Sequence, residues 1–542
     1  MSKNKSLKSY QLASCENVRH TSTMQLKKDF KAGSANDGEF YDKRTYYDSE
    51  TGESYYPWMF SKTLDHDNVT GFPKASDVEK IIKGAKEGGS SLNDVPIHNL
   101  SVRKLEGLAA ANSFNLIGTD SSVPRVEYKP IDSEGSVFEM SEVYAKSIKR
   151  NTSFWDIENL STTDVCIETL NNFTDRTTAP TDGSIITGKT LFRGSSPDET
   201  VGPYVSQFLY LDFNYGNIKV VQKYEIEDDS EDSVTKQGWL NIQNGVTPGG
   251  NNKTGQEFYC FSGRVLGSKV HSDPLYQFYY NAALIAFQNG IGPSAFSHGK
   301  TTAWVSGGGP DVLASLAHVA LGALRVAWYQ KYCVTMRIRP EVYAQRIQLA
   351  YESSEDFVKK VQGLKNIKDI CDSKCLDLLQ AVMTANNSTE RYLKLQFPEG
   401  SPTHPSTVAG HAAVAGACVT ILKAMLDTHD SNGLKKAWPE TVVHSLTGEA
   451  LDPYTGSTTG MTIVGELNKL ASNVSLGRDW SAVHYRVDGD LGLVLGQDYA
   501  ITYLVDKCKE YSESYNKVFE GFTLEKFSGE TVKITLDGVE AV

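Results

Sequence analysis

Three stretches of the sequence carry side chains able to hold an oxyanion and move protons beside it. The first is PEGSPTHPSTVAGH, residues 398–411, which runs directly into the apolar AAVAGACVTILKAML. It places His404 and His411 seven positions apart, and an imidazole exchanges its proton near neutral pH. The second, WYQKYCVTMRIRPE, sets Lys331 and Arg339 eight apart. Arg339 offers a planar fork of donors that matches an oxyanion. In the third, LNKLASNVSLGRDWSAVHYRVDGDLGLVLG, Arg478 is followed six residues later by His484, with Asp488 four beyond that. A carboxylate at i+4 can take the Nδ1 proton of a histidine and leave Nε2 as base, nucleophile or metal ligand; it can equally cap the turn.

Local chemistry says how these groups must be carried. Pro402 and Pro405 exclude a helix before Gly410, because proline lacks the amide donor and clashes with the preceding turn. Beyond Gly410 the small apolar residues start a helix whose first amides have no partner within it, an end that attracts anions. The plainer reading is a buried helix entered by a Pro-rich turn, with ordinary histidines. Arg339 precedes Pro340, which biases it out of helical conformation, so it should stand where the helix opening at Gly309-Pro310-Asp311 ends. The competing reading is solvated charge, with the Lys331 stem snorkelling along the surface. Arg486 and Asp490 fit an exposed pair of little energetic weight.

The chain has 542 residues, 40% of them hydrophobic, enough for a large core. Its formal net charge of −12, with no basic block, argues against nucleic acid as a partner and means that any anion site needs a local cluster of cations. No uninterrupted run of eighteen apolar residues stands out, so no membrane span is expected. The polar N-terminus MSKNKSLKSYQLASCENVRH lacks the apolar centre of a secretory signal, which points to the cytoplasm, or to a chain already processed for secretion or the cell wall. Eight cysteines are too sparse for a disulfide scaffold. Cys371 and Cys375, one turn apart without a second pair, read as structural.

Along the chain, residues 1–130 are polar and tyrosine-rich and read as an extension packed on a core. Within it, Ser76 and Glu79 form a capping-box pattern, and Gly88-Gly89 supplies a helix stop. Residues 131–515 carry helical periodicity at roughly 274–288, 311–336, 341–362, 368–385, 410–427, 462–474 and 481–511, which predicts an all-α domain. Between Leu191 and Glu227, where Asn214 to Asn217 interrupt two strand-like runs, a β-hairpin or an irregular excursion is expected. Residues 516–542 alternate across Ser528-Gly529 and predict a terminal hairpin.

Together the three stretches resemble the tripartite signature of the vanadium-dependent haloperoxidases and the related acid phosphatases: Lys and Arg-Pro, then Ser-Gly-His, then Arg followed by His and Asp. Order and spacing match the haloperoxidase form. LFRGSSPDETVGPYVSQFL, GGPDVLASLAHVALGALRVAWYQKY, PEGSPTHPS and MTIVGELNKLASNVSLGRD are similar to the bromoperoxidases of red algae and cyanobacteria, and the likeness runs from about 135 to 510. The resemblance implies helical bundles around an orthovanadate cofactor, with hydrogen peroxide, a halide and a small organic acceptor as partners, and a homo-oligomer. It assigns His484 as the metal ligand through Nε2, with Lys331, Arg339, Arg478 and the Gly410 amide on the cofactor oxygens. His411 is implied as the acid–base group, and His404 marks the position that favours bromide over chloride.

Three positions depart from the family pattern. Ala409 stands where the family has Ser, Gly477 where Ser is frequent, and Ala482 where Gly is frequent. A lost charge-assisted hydrogen bond is worth roughly 1.5–3 kcal/mol. Altered tuning of cofactor or halide is therefore expected at Ala409. The alternatives are a phosphomonoesterase, in which His484 would attack phosphorus and His411 protonate the leaving group, and an inactive anion-binding homologue.

Overall fold

The computed structural model describes residues 40–113, 115, 117, 129–229, 232–250, 253–294, 297–298, 301–514 and 519–542. The polar N-terminal stretch read above, with Cys15, lies outside the described residues. Helices dominate, and six small antiparallel sheets complete the described structure. The elements that matter for the site are the helices α1 (Ala75–Glu87), α2 (Glu134–Lys149), α3 (Gly263–Lys269), α4 (Gln277–Gln288), α5 (Gly309–Tyr329), α6 (Pro340–Glu352), α7 (Gly410–Met425), α8 (Ile463–Trp480) and α9 (Arg486–Ser514).

At the centre, α7 is buried on nearly every side by α5, α8 and α9. Its small residues are the reason it can be. A Cβ added at Gly416 would meet the Leu493 carbonyl oxygen at 2.0 Å, and one at Gly496 would meet that of Ala413 at 1.9 Å. The backbones of α7 and α9 therefore touch, and this contact holds the entrance of α7 against the start of α9, where Asp488 sits.

The periodic stretches form helices, with differences at their ends. The span 341–362 divides after Glu352, because Ser354 caps a new helix by accepting a hydrogen bond from the Phe357 amide. The span 368–385 lies in two helices, Leu364–Lys374 and Leu376–Ala385, that meet at the buried Cys375. The capping box at Ser76 does not form. Helix α1 begins at Ala75 with Lys74 as its cap residue, and Glu79 instead accepts from the Tyr56 hydroxyl at 2.9 Å and pairs with Lys43. Gly88 does end that helix, at φ +64.

The expected internal hairpin is present as β1 (Phe213–Tyr215) and β2 (Ile218–Val220), turning at Gly216-Asn217, so Asn214 is within a strand. A second pair, Tyr224–Glu227 with Lys253–Phe258, escaped the sequence reading because its strands are distant in the chain. The expected terminal hairpin, Phe522–Glu525 with Thr531–Thr535, gains a third strand, Gly538–Ala541. Contrary to expectation, Gly309–Thr335 is long and apolar enough by composition to cross a membrane. In this fold it is a bundle element, half buried, packed on α7 and α9.

Candidate functional site

The chain leaves α5 through a π turn, Gln330–Thr335, in which the Met336 amide donates to the Lys331 carbonyl at 2.9 Å. Such turns are frequent at functional sites. Here it carries Lys331 fully inside the protein, so the snorkelling reading is excluded. The helix is already over at Met336. Arg339 stands one segment later, extended at φ −83 and ψ 160 as the cap residue of α6, where the following proline puts it.

The Pro-rich loop 398–409 is buried for most of its length, so its carbonyls must find donors inside the protein. Cationic side chains supply them. Lys331 Nζ donates to the carbonyls of Pro405 (2.7 Å) and Ser406 (2.9 Å), and Arg339 Nε donates to that of His404 (2.9 Å). Lys62 donates to the Glu399 carbonyl at 2.8 Å and also to that of Ser401, whose side chain is held by Glu341 of α6.

Arg339 is also the hub of the histidines. Its Nη1 donates to His484 Nε2 and its Nη2 to His404 Nδ1, each at 2.9 Å. A guanidinium can only donate, so both ring nitrogens present lone pairs. His484 therefore carries its proton on Nδ1 and gives it to Asp488 Oδ2 at 2.8 Å. The i+4 spacing thus produces an oriented imidazole whose Nε2 bears the lone pair, here directed at Arg339 Nη1. Asp488 is further fixed by Thr407 Oγ1 (2.6 Å), the Tyr485 amide (3.2 Å) and Ser406 Oγ. Desolvation, the largest influence, raises its pKa, but the bond from His484 and neighbouring positive charge outweigh it and hold the carboxyl far below the usual range.

Arg478, near the end of α8, donates to the Val270 carbonyl at 2.5 Å, while its buried Nε has no partner among the described residues. His411 donates from Nε2 to Asp273 Oδ1 at 2.8 Å. Burial lowers the pKa of all three histidines, aided at His404 by Lys331 and Arg339 and at His484 by Arg339. At His411, the nearby Arg478 and Lys331 add to that effect and Asp273 opposes it. Each histidine is thus neutral near pH 7. Burial pushes Lys331 down as well, and Arg478 down to about 10, which leaves Arg478 charged at neutral pH. Among the described residues Lys331, Arg339 and Arg478 form no ion pair. Asp488 is engaged by His484 and Asp273 by His411. The structure thus brings together every residue singled out from the sequence: Lys331, Arg339, His404, Ala409, Gly410, His411, Arg478 and His484.

Sequence reading missed several supporting groups. Trp328 packs at 4.7 Å between ring centroids from His404, and a Cβ on Gly410 would lie 3.0 Å from it, so glycine is what lets the helix entrance approach the indole. Trp328 is one helical turn before Lys331, which was a usable signal. Asp273 had none, nor had His271 two residues before it. His271 gives Nδ1 to Glu227 (2.8 Å) and Nε2 to Glu399 (2.9 Å), and its ring stacks on Phe397 at 3.5 Å. This clamp holds the loop that supplies the Val270 carbonyl to Arg478 and Asp273 to His411. The Arg486–Asp490 surface pair is corrected: Arg486 is buried and binds Glu142 of α2 at 2.5 and 2.9 Å, while Asp490 accepts from Thr178.

The departures from the family pattern acquire physical meaning. A Cβ at Gly477 would lie 2.9 Å from Val270 Cγ2, so a larger side chain does not fit as α8 stands against α3. Ala482 is held at φ +64, a left-handed conformation that costs an L side chain about 1–2 kcal/mol. Ala482→Gly is therefore expected to raise stability by about 1 kcal/mol, read as a higher denaturation midpoint at unchanged slope. An unchanged or lower midpoint would show that the strain is relieved elsewhere. Ala409 is the cap residue of α7 with no side-chain cap, its amide given to the Asp488 carbonyl at 2.9 Å.

Among the described residues, a helical fold buries Lys331, Arg339 and Arg478 without a carboxylate partner around an oriented histidine, the make-up of a site for an oxyanion. The comparisons agree on one group. No family model matches the chain. Curated relatives are the vanadium-dependent bromoperoxidases of Ascophyllum nodosum (28% identical, covering 90% of this chain and 88% of that one), Corallina pilulifera (29%, 80% of each) and Corallina officinalis (27%, 90% and 92%). The fold matches the homohexameric second vanadate-dependent bromoperoxidase of Ascophyllum nodosum, with a TM-score of 0.82 at 24% identity, over 90% of this chain and 86% of that one. In sequence the chain is similar to vanadium-dependent bromoperoxidases, and in fold to one of them.

Proposed function

We propose that this chain is a vanadate-dependent haloperoxidase that uses hydrogen peroxide to oxidise halide, bromide by preference, to a hypohalite-level species that halogenates a small organic acceptor. The observation that carries this reading is the set of buried, unpaired cations around His484 Nε2. The site fits the group: among the described residues Arg478 Nε is a buried donor without a protein acceptor and Lys331 and Arg339 form no ion pair with a carboxylate, while His484 offers a lone pair on a ring fixed by Asp488.

Lys331, Arg339, Arg478 and the Gly410 amide would hold the vanadate oxygens, and His484 Nε2 would ligate the metal. When bound, vanadate supplies a Lewis acid that activates peroxide towards halide without changing its own oxidation state. His411, with Nε2–H committed to Asp273, keeps Nδ1 as the base that accepts a proton and returns it. His404, fixed by Arg339, stands beside the site where it bears on halide use. The buried surroundings exclude water, which strengthens each of these interactions. The six buried free thiols among the described cysteines suit a reducing compartment, and the cytoplasm is the location we propose. A homo-oligomer is proposed from the homohexameric neighbour.

Bromide- and peroxide-dependent halogenation, measured with and without added vanadate beside phosphomonoester hydrolysis, tests the reading. Vanadate-dependent halogenation without hydrolysis is expected. Hydrolysis alone would make the chain a phosphatase, and neither activity would make it an anion-binding homologue. Within this reading, Ala409→Ser is expected to change halide kinetics by up to about tenfold, equivalent to roughly 1.4 kcal/mol. Steady-state kinetics with bromide, chloride and iodide measure it. Identical parameters for all three would mean that the new hydroxyl caps α7 instead of reaching the site.

A further inference from the structure

The anion site does not itself define the organic acceptor, and we propose that the acceptor binds in a separate aromatic cleft that begins at Pro274, the residue after Asp273, as a small neutral phenol or similarly electron-rich arene. Naming the occupant as acceptor rests on the haloperoxidase reading; the existence of the binding site does not. The cleft has a volume of about 450 Å³, within the range of small-molecule sites, and lies between the β1–β2 hairpin and the start of α4. Phe213 and Tyr215 line one side, and Tyr276, Gln277, Tyr280 and Asn281 the other.

Three features select the ligand. Among the described residues no charged side chain lines the cleft, so a neutral molecule suffers no uncompensated desolvation there. The lining is aromatic: Tyr215 and Tyr280, in contact with each other at 6.2 Å between centroids, join Phe213 and Tyr276, and aromatic rings favour the offset or edge contacts that a planar ring can make. Asn281, only 8% exposed as a residue, contributes a side-chain amide to the lining. An amide that offers both a donor and an acceptor to the cleft is complemented by a hydroxyl, which does the same.

Position supplies the connection to chemistry. Pro274 at the rim directly follows Asp273, whose carboxylate holds His411. A ring in the cleft therefore lies next to the segment that organises the proton-transfer side of the anion site. The reaction with hypobromous acid balances simply. The ring carbon forms a C–Br bond as the Br–O bond breaks. That carbon is oxidised by two electrons and bromine is reduced from +1 to −1, while the displaced ring proton leaves with hydroxide as water. Electron-rich arenes react fastest in this step, and they are the class that the cleft admits.

Binding of phenol to the full chain, followed by ligand-observed NMR without vanadate, peroxide or halide, tests the site apart from turnover. Wild type is expected to bind phenol. Asn281→Leu should weaken it at least tenfold, and Tyr276→Ser, at a residue 41% exposed and so tolerant of change, severalfold. No binding by wild type, or equal binding by all three proteins, would overturn the proposal, whatever the halogenation assay shows. So would light scattering in which either variant dissociates a wild-type oligomer, since the cleft would then be a subunit contact. In turnover, wild type should give an ortho-to-para bromophenol ratio different from that of free hypobromite, and Asn281→Leu should restore the free ratio. Equal ratios alongside intact phenol binding would remove the acceptor role.

Discussion

His484→Ala is expected to lose tight vanadate binding and peroxidase activity together. In the proposed reading the His484 imidazole gives the coordinate bond to the metal. Its Nε2 lone pair faces Arg339 at 2.9 Å, and its other nitrogen is tied to Asp488 at 2.8 Å. Alanine leaves Lys331, Arg339 and Arg478 in place, so weak, salt-sensitive association of an oxyanion should survive while stoichiometric metal does not. Vanadium content after gel filtration, with bromide-dependent turnover on the same samples, measures both. A variant that keeps one vanadium per chain and normal turnover would show that His484 is not the ligand.

Asp488→Asn should have nearly as large an effect through a group that need not touch the cofactor. The carboxylate accepts from His484 Nδ1, Thr407 Oγ1, Ser406 Oγ and the Tyr485 amide, and Arg337 lies 3.8 Å away. Removing such a partner from a ligating histidine typically costs about 10–100-fold in metal affinity, roughly the loss expected here. Breaking a buried charge interaction should also lower stability by about 3 kcal/mol. The pH dependence is distinctive. A carboxyl whose folded pKa lies far below the unfolded value of about 4 contributes stability fully above about pH 4 and loses it as pH falls towards the folded pKa. Wild type should therefore lose stability below about pH 4, and the variant should show a shallower loss from a lower starting point. Denaturation midpoints across that window test it. Equal slopes for the two proteins would mean that Asp488 is not a source of acid sensitivity.

Several site features were legible because they depend on neighbours a few residues away. Pro402 and Pro405 forbid a helix and the small residues after Gly410 permit one, so the loop-to-helix junction follows from local sterics. Pro340 holds Arg339 extended, and a helical turn brings Asp488 to His484. Likewise Gly88 ends its helix, but Ser76 does not start it, because Glu79 finds Tyr56 and Lys43 from another segment.

Where the groups go once the segments meet was decided by tertiary structure. Lys331 looks like a surface lysine in its own helix; the π turn buries it against carbonyls 74 and 75 residues ahead. Arg486 turns from its neighbour Asp490 to Glu142, 344 residues away. Asp273 reaches His411 across 138 residues with no spacing to announce it. Spacing along the chain reports geometry only over the few residues whose dihedral angles are coupled by sterics. The partner of a buried charge is selected by the requirement that every desolvated donor and acceptor be met, and this can be evaluated only after packing has decided which segments share an interior.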